Sequence, residues 1–301
     1  MWKLRRFLGR LRSTTLRILD AIFYRHDGRA LAHATPTPFD SIEALCAAPV
    51  LIVGAHPDDE ILGTGGLMGR LGDFHVVTVT NGAPRNWWPK GFANAREYAA
   101  TRHREAEAAL ALLGRGAGRA SSFAVNDQEA SHRIHFLVRQ LLDLLSDGHF
   151  KHVITHTYEG GHPDHDATAL AVHAACHLLA CNGLAVPTLL EMTGYHKLHG
   201  EMRRGEFLPH PGAGPVQTFV LDTAERERKK QMFACHASQG NVLAPFPLDK
   251  EQFRQAPAYD FSRAPHDGEL SYENYGWDID GKRWREIAGR ALVRMRLPVI
   301  L

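Results

Sequence analysis

The sequence predicts an α/β protein: a Rossmann-like, mostly parallel sheet with helices on both faces and its functional site at the carboxyl ends of the strands. Three observations lead there. Short runs rich in Val, Ile and Thr alternate with helical periodicities over residues 49–240, the pattern of βαβ units. Right-handed crossovers then place helices on both faces. Finally, a His-Pro-acid run occurs twice, as His56-Pro57-Asp58-Asp59-Glu60 and His162-Pro163-Asp164-His165-Asp166, each time between a β-branched run and a helical pattern. In a sheet of this kind ligands bind beyond the carboxyl ends of the strands.

Along the chain, residues 1–30 come first. They carry eight Lys/Arg against Asp20 and Asp27. Leu4, Phe7, Leu8, Leu11, Ile18, Ile22 and Phe23 recur at helical spacing, so this is a basic amphipathic helix. Its readings are a helix packed on the domain, a peripheral contact with an anionic membrane and, behind these, mitochondrial targeting. No clean hydrophobic core follows the basic residues, which argues against a signal peptide. Residues 31–48, with Thr35-Pro36-Thr37-Pro38, read as a linker.

Strands are then expected at 50–54, 75–80, 122–125, 152–156, 188–192 and 216–221. Helices are expected at 59–71, 94–113, 131–145, 164–179 and 223–236. Residues 241–301 are rich in Pro, Tyr and Trp and lack clear periodicity. They read as a C-terminal extension of loops and extended segments packed on the same domain.

Composition excludes several classes. The chain has 301 residues, 44% of them hydrophobic and 23% charged, which suits one large α/β domain or two small ones. A net charge of +2 gives no global reason to expect nucleic acid. The four cysteines, Cys46, Cys176, Cys181 and Cys235, form no C-x-x-C pair. A disulfide framework is therefore not expected, and a reducing cytoplasm is the default compartment, with the inner membrane face open if residues 1–30 bind it. No run has the ~20 apolar residues that a membrane span needs.

The chemistry lies in the two turns. Acids in a first helical turn are explained by the helix dipole, but the histidines are not. His56 and Asp59 are three residues apart and can converge on one point; His162 and His165 repeat that spacing. Two or three imidazoles with a carboxylate suit Zn²⁺, and three protein ligands with an open position make the catalytic form of such a site. Fe²⁺ or Co²⁺ would also be accepted by these ligands. Gly63-Thr64-Gly65-Gly66 lies inside a helix rather than between strand and helix, so close packing explains it better than a phosphate loop. Arg85 with Trp87-Trp88 falls in a loop after the second strand, where the aromatics either stack on a pyranose or anchor the loop. Tyr195, His196 and His199 follow the fifth strand and border the same region.

Gly54-Ala55-His56-Pro57-Asp58-Asp59-Glu60 together with Glu159-Gly160-Gly161-His162-Pro163-Asp164-His165 resembles the PIG-L/LmbE-like family of zinc-dependent de-N-acetylases. Its members include deacetylases of N-acetylglucosaminyl-phosphatidylinositol and of mycothiol and bacillithiol precursors. Arg102-x-x-Glu105, Asn126-Asp127 and Lys230 with Cys235-His236-Ala237-Ser238-Gln239 resemble further family segments, so the resemblance spans about residues 49–240.

It implies zinc ligands at His56, Asp59 and His165, and a general base at Asp58. His162 would act on the tetrahedral adduct and the leaving amine, oriented by Asp164. Arg102 and Asp127 would hold the sugar. Zn²⁺ can bring water to a pKa of about 7, and a charged His162 paired with Asp164 could stabilise the oxyanion and protonate the amine. One departure is plain: some relatives have a tyrosine where this chain has Gly160, and Tyr158 is no obvious replacement.

The function so implied is hydrolysis of an N-acetyl group on an amino-sugar glycoconjugate of the N-acetylglucosaminyl type, releasing acetate and a free amine. Alternatives are a metal-dependent amidase or phosphoesterase on another substrate, and a metal-binding homologue without catalysis. A dinucleotide oxidoreductase is disfavoured by the missing Gly-rich fingerprint. A homo-oligomer stays open.

Overall fold

The computed structural model describes residues 39–114 and 119–301. The basic helix expected over residues 1–30 and residues 31–38 of the expected linker lie outside the described residues; the rest of that linker includes a short helix at Ile42–Cys46 that buries Leu45.

The central sheet has seven strands: β1 (Val50–Gly54), β2 (Phe74–Pro84), β3 (Arg119–Asp127), β4 (His152–Thr155), β5 (Thr188–Met192), β8 (Gln217–Val220) and β9 (Lys250–Gln255). β6 (Tyr195–Leu198) and β7 (Glu201–Arg204) form a separate hairpin. The sheet order is β3-β2-β1-β4-β5-β9-β8. The first five strands are parallel, and β9 and β8 are added antiparallel.

β1 is the centre. Its five residues are all buried, as in a strand covered on both faces. Leu51 and Val53 join Val77, Val79 and Val153 on one face, whereas Val50 and Ile52 join Val76, Ile154 and Leu190 on the other. This period-2 alternation is the strand geometry that the sequence signalled.

The described helices are α1 (Ile42–Cys46), α2 (Asp59–Thr64), α3 (Ala95–Ala111), α4 (Ile134–Leu145), α5 (Pro163–Cys181), α6 (Thr223–Cys235), α7 (Gly240–Leu243) and α8 (Gly281–Met295). Caps set several starts. The Asn94 side chain accepts from the Glu97 N–H at α3, and Asp222 with Glu225 forms a capping box at α6. α2 is shorter than expected and passes into a 3₁₀ turn at Leu67–Gly69. The glycines before that turn serve packing: a Cβ on Gly63 would lie 2.3 Å from Met192 Sδ, and one on Gly66 2.5 Å from Leu221 Cδ2.

The tail differs from the sequence expectation. β9 inserts between β5 and β8, joined to β5 by a buried Arg254–Glu191 pair at 2.7 Å. α8 is a regular helix that buries Trp284, Ile287, Ala288, Leu292 and Met295. The Trp284 indole N–H donates to the Pro163 carbonyl at 3.0 Å, which ties the tail to the start of α5.

The strand order reverses at β1, with β2 on one side and β4 on the other. Both His-Pro turns follow strands at this switch point, so their side chains meet over the same crevice.

Candidate metal centre and catalytic pocket

The first turn folds back on itself. The His56 N–H donates to Asp59 Oδ2 at 2.7 Å, and the Asp58 N–H donates to Glu60 Oε2 at 3.0 Å. Asp58 has φ of 151°, a conformation that L-residues adopt only where surroundings impose it. Glu60 is fully buried and supports this turn rather than facing the pocket; burial pushes its carboxyl up to about 8.

The second turn is tied by Asp166, whose Oδ1 accepts from the N–H groups of Glu159 and Gly160 at 3.3 and 3.1 Å. His162 then caps α5, with Pro163 at the first helical position. Gly161 is required there: a Cβ would lie 1.9 Å from the Tyr195 carbonyl oxygen.

The two turns bring the expected ligands together. His56 Nδ1 lies 3.3 Å from His165 Nε2, Asp59 Oδ1 lies 3.3 Å from His165 Nε2, and Asp59 Oδ2 lies 3.4 Å from His56 Nδ1. All three residues are buried. Donors at ~2.0–2.1 Å from a tetrahedral Zn²⁺ are themselves about 3.3 Å apart. The two histidine nitrogens are at that spacing, each has an Asp59 oxygen at about the same distance, and one donor atom from each of the three residues lies within 4.8 Å of the others, so the set fits a divalent ion of this kind.

The orienting groups are equally specific. His56 Nε2 faces Asp127 Oδ1 at 3.1 Å and Asp164 Oδ2 at 3.4 Å. That carboxylate contact fixes the tautomer that leaves Nδ1 free to ligate. Asp127 thus buttresses the candidate ligand His56 as well as lining the pocket. His156, read in the sequence only as a strand end, stacks on His165 with ring centroids 3.9 Å apart and accepts the Ala55 N–H at 2.9 Å. Burial pushes its pKa down to about 4, so it is a neutral wall behind the ligand set.

Arg102, on α3, is buried behind the first turn. It donates to Asp58 Oδ2 at 2.9 Å, to the Pro57 carbonyl at 3.1 Å and to the Gly82 carbonyl at 2.7 Å. Gly82, at φ of 67°, leaves room for that approach, since a Cβ would lie 2.5 Å from Arg102 Nη1. Arg102 therefore grips the Asp58 carboxylate while its edge lines the pocket. Burial pushes the Asp58 carboxyl up to about 6, with Arg102 pulling the other way. Behind it, His236 is fully buried, and Glu105 accepts from the Ser238 N–H and hydroxyl at 2.8 and 2.6 Å. Lys230 is exposed. The buried lysine of this segment is its neighbour Lys229, paired with Glu251 at 2.6 Å.

His162 and Asp164 are placed differently from the resemblance. The Asp164 carboxylate accepts from the Gln128 N–H at 2.6 Å and the Ala130 N–H at 3.0 Å, and it does not bond the His162 ring. His162 Nδ1 instead accepts the Asp164 backbone N–H at 3.1 Å. The neutral ring must then carry its proton on Nε2. Burial, and next the His56 charge, pushes the His162 pKa well below the usual imidazole value. The expected charged His162–Asp164 pair gives way to a neutral imidazole held by a backbone N–H.

His56, Asp58, Asp59, Arg102, Asp127, His162 and His165 all line one pocket of about 150 Å³, and Leu62, Tyr195, Val242, Leu243 and Phe246 close its apolar side. Asp164 lies beneath it. Tyr158 turns into the core, stacked on Trp284, with its hydroxyl on the Arg263 carbonyl at 2.7 Å. Tyr195 sets its ring edge-on to His165 at 5.2 Å. No helix among the described residues is long and apolar enough to cross a membrane, and the four cysteines are free.

Comparison with known proteins agrees with this architecture. The profile of the PIG-L family, described as GlcNAc-PI de-N-acetylase, matches residues 51–176. No curated protein matches the chain significantly. Among solved structures, the A40926 pseudoaglycone deacetylase Dbv21 is 20% identical with a TM-score of 0.51, over 68% of this chain and 96% of its own. The N,N'-diacetylchitobiose deacetylase of Pyrococcus horikoshii is 20% identical with a TM-score of 0.52, over 73% of this chain and 88% of its own. A zinc-inhibited form of the teicoplanin deacetylase Orf2 is 19% identical with a TM-score of 0.51, over 69% of this chain and 97% of its own. Residues 51–176, which contain both His-Pro turns, thus match the PIG-L family profile, and the solved structures share the fold.

Proposed function

We propose that this protein hydrolyses the N-acetyl group of an amino-sugar conjugate, releasing acetate and a free amine. The observation that carries the reading is the triangle of His56 Nδ1, Asp59 and His165 Nε2 at 3.3–3.4 Å, with Asp58 and His162 lining the same pocket. These three residues would hold a divalent metal, Zn²⁺ by donor type. When bound, such a metal acidifies water and polarises the acetyl carbonyl.

The protein's own groups supply the rest. Asp58, gripped by Arg102, is the general base that takes a proton from the attacking water. His162, with Nδ1 occupied by a backbone N–H, presents its Nε2–H to the oxygen that becomes negative as the carbonyl carbon turns tetrahedral. When the C–N bond breaks, the amine must gain a proton, and Asp58 returns the one it took. The apolar wall of Leu62, Leu243 and Phe246 accommodates the acetyl methyl and limits competing water.

The test is a mass-spectrometric screen for acetyl loss across N-acetylated sugar conjugates, with simple amides and phosphoesters alongside, run with Zn²⁺, Fe²⁺ and Co²⁺ in turn. Asp58→Asn and His162→Ala are expected to keep one bound metal per chain and to lose turnover by ~10²–10⁴-fold. Full activity in either variant sinks these roles. Turnover of phosphoesters alone replaces the amidase reading.

A further inference from the structure

A second cavity opens beside the catalytic pocket. It measures about 560 Å³, and Asp127 lines both. The loop after β2 supplies Asn86 and Trp87, the turn before α4 supplies Arg133, and the segment before α8 supplies Trp277 and Asp278. Trp277 stands at the junction. Its ring meets His162 edge-on at 4.8 Å on one side and Tyr275 at 4.9 Å on the other.

Of the two tryptophans that line the cavity, Trp87 is 61% exposed and takes part in none of the described ring contacts, whereas Trp277 is half-buried; Tyr275 lies outside the lining and touches it only through Trp277. Single exposed apolar side chains are ordinary, but large aromatics gathered on one groove mark a binding surface. A loop anchor would bury its tryptophan; this one does not. The polar lining includes the exposed residues Asn86, Arg133 and Asp278, beside Gln128, His132 and the Arg85–Glu129 ion pair at 2.7 Å. The groove thus joins flat apolar faces with an amide, a carboxylate and a guanidinium at their edges.

A pyranose has that chemistry in reverse. Its C–H face is apolar and flat, and its rim is a ring of hydroxyls that donate and accept. Lipid would leave the three polar side chains unpaired, and a lone anion would leave the aromatic faces without use. We infer that this groove is a subsite for a second saccharide ring of the substrate, stacked on Trp87, so that the enzyme acts on an oligosaccharide or glycosylated conjugate better than on a single amino sugar. The inference rests on the de-N-acetylase reading for the ring in the catalytic pocket. That ring reaches the groove past Asp127 and Trp277.

The experiment compares N-acetylglucosamine with N,N'-diacetylchitobiose in wild type and in Trp87→Ala, by acetate release and by tryptophan fluorescence titration. Base-to-aromatic stacking on nucleic-acid platforms gives the scale, ~1–3 kcal/mol per ring or about 5–150-fold. Wild type is expected to show kcat/KM at least about tenfold higher for the disaccharide. Trp87→Ala should remove most of that advantage, chiefly through KM, and leave turnover of the single sugar within about twofold. It should also abolish the fluorescence change on adding disaccharide. Equal kcat/KM for both sugars, or a disaccharide advantage that survives Trp87→Ala, overturns the subsite while leaving the de-N-acetylase reading intact. Disaccharide binding that needs Trp87, with no acetate released from either sugar, upholds the subsite and instead refutes the reaction.

Discussion

Gly161→Ala isolates how tightly the second turn must sit against its neighbour. The added Cβ would lie 1.9 Å from the Tyr195 carbonyl oxygen, a backbone atom that no rotamer change can move. Reaching an ordinary contact of roughly 3.3 Å requires the turn and β6 to part by more than about 1 Å. His162 is the next residue, so the shift is passed directly to the imidazole that, on the proposed reaction, faces the reacting carbonyl. A misplacement of about 1 Å costs on the order of 10²-fold in rate, and overpacking a close contact costs about 1–3 kcal/mol of stability.

Gly160→Ala is the matched comparison. Its φ is 71°, but the Cβ would meet Leu270 Cδ2, the end of a flexible side chain. It should lose about 1 kcal/mol from backbone strain and keep kcat within about threefold. Gly289→Ala, in α8 with nothing within 4 Å, should gain about 0.5–1 kcal/mol and keep full activity. Steady-state kinetics and urea unfolding on the three variants decide the matter. A Gly161→Ala enzyme with kcat within threefold of wild type would falsify the placement of His162 by this contact.

Lys229→Met should destabilise the protein by about 3–5 kcal/mol, read as a lower urea midpoint at unchanged slope. It strands the buried Glu251, which also accepts the Gly66 and Leu67 N–H groups at 2.7 and 2.9 Å; a change under 1 kcal/mol would refute that account. His173 is buried against Tyr259 and Phe261, and burial lowers its pKa to about 4. A depressed histidine contributes stability above pH ~6.5 that is lost as pH falls toward 4, at most about 3 kcal/mol here. His173→Phe should flatten the fall in unfolding free energy across that window, and an unchanged slope would exclude His173 as its source. Removing metal with a strong chelator should abolish turnover and lower Tm, because ligand at 100 times its Kd adds about 2.7 kcal/mol. Metal-free protein with full activity and unmoved Tm would end the case for His56, Asp59 and His165 as ligands.

Much of the site was legible because its chemistry is written in contiguous residues. His56, Asp58 and Asp59 need only a strand before them and a helix after them to converge. Their partners were harder to see. His156 reads as the last residue of a Thr/Val/Ile strand, and only the parallel register of β1 and β4 brings its ring to Ala55 and His165. Asp164 was assigned to the histidine two residues away, whereas the loop after β3 offers it two unpaired N–H groups, which bind a carboxylate more completely than one imidazole does.

β9 was missed because its sequence, Lys-Glu-Gln-Phe-Arg-Gln, looks solvated. Glu251 and Arg254 are buried only because Lys229 and Glu191 neutralise them from distant segments. α8 had the usual signals, Asp280 as cap and apolar residues at helical spacing, but they were masked by the Pro- and Tyr-rich stretch before it.

The insertion of β9 between β5 and β8 also bears on synthesis. β8 leaves the ribosome before β9, yet it has no partner in the sheet except β9. Residues 217–220 must therefore wait, unpaired, while about thirty more residues emerge. During that interval β5 presents an open parallel edge of the kind that recruits foreign strands. A stop or a pause before residue 255 would thus leave a chain with both His-Pro turns translated and an adhesive sheet edge. Its signature would be aggregation, with His56, Asp59 and His165 already present.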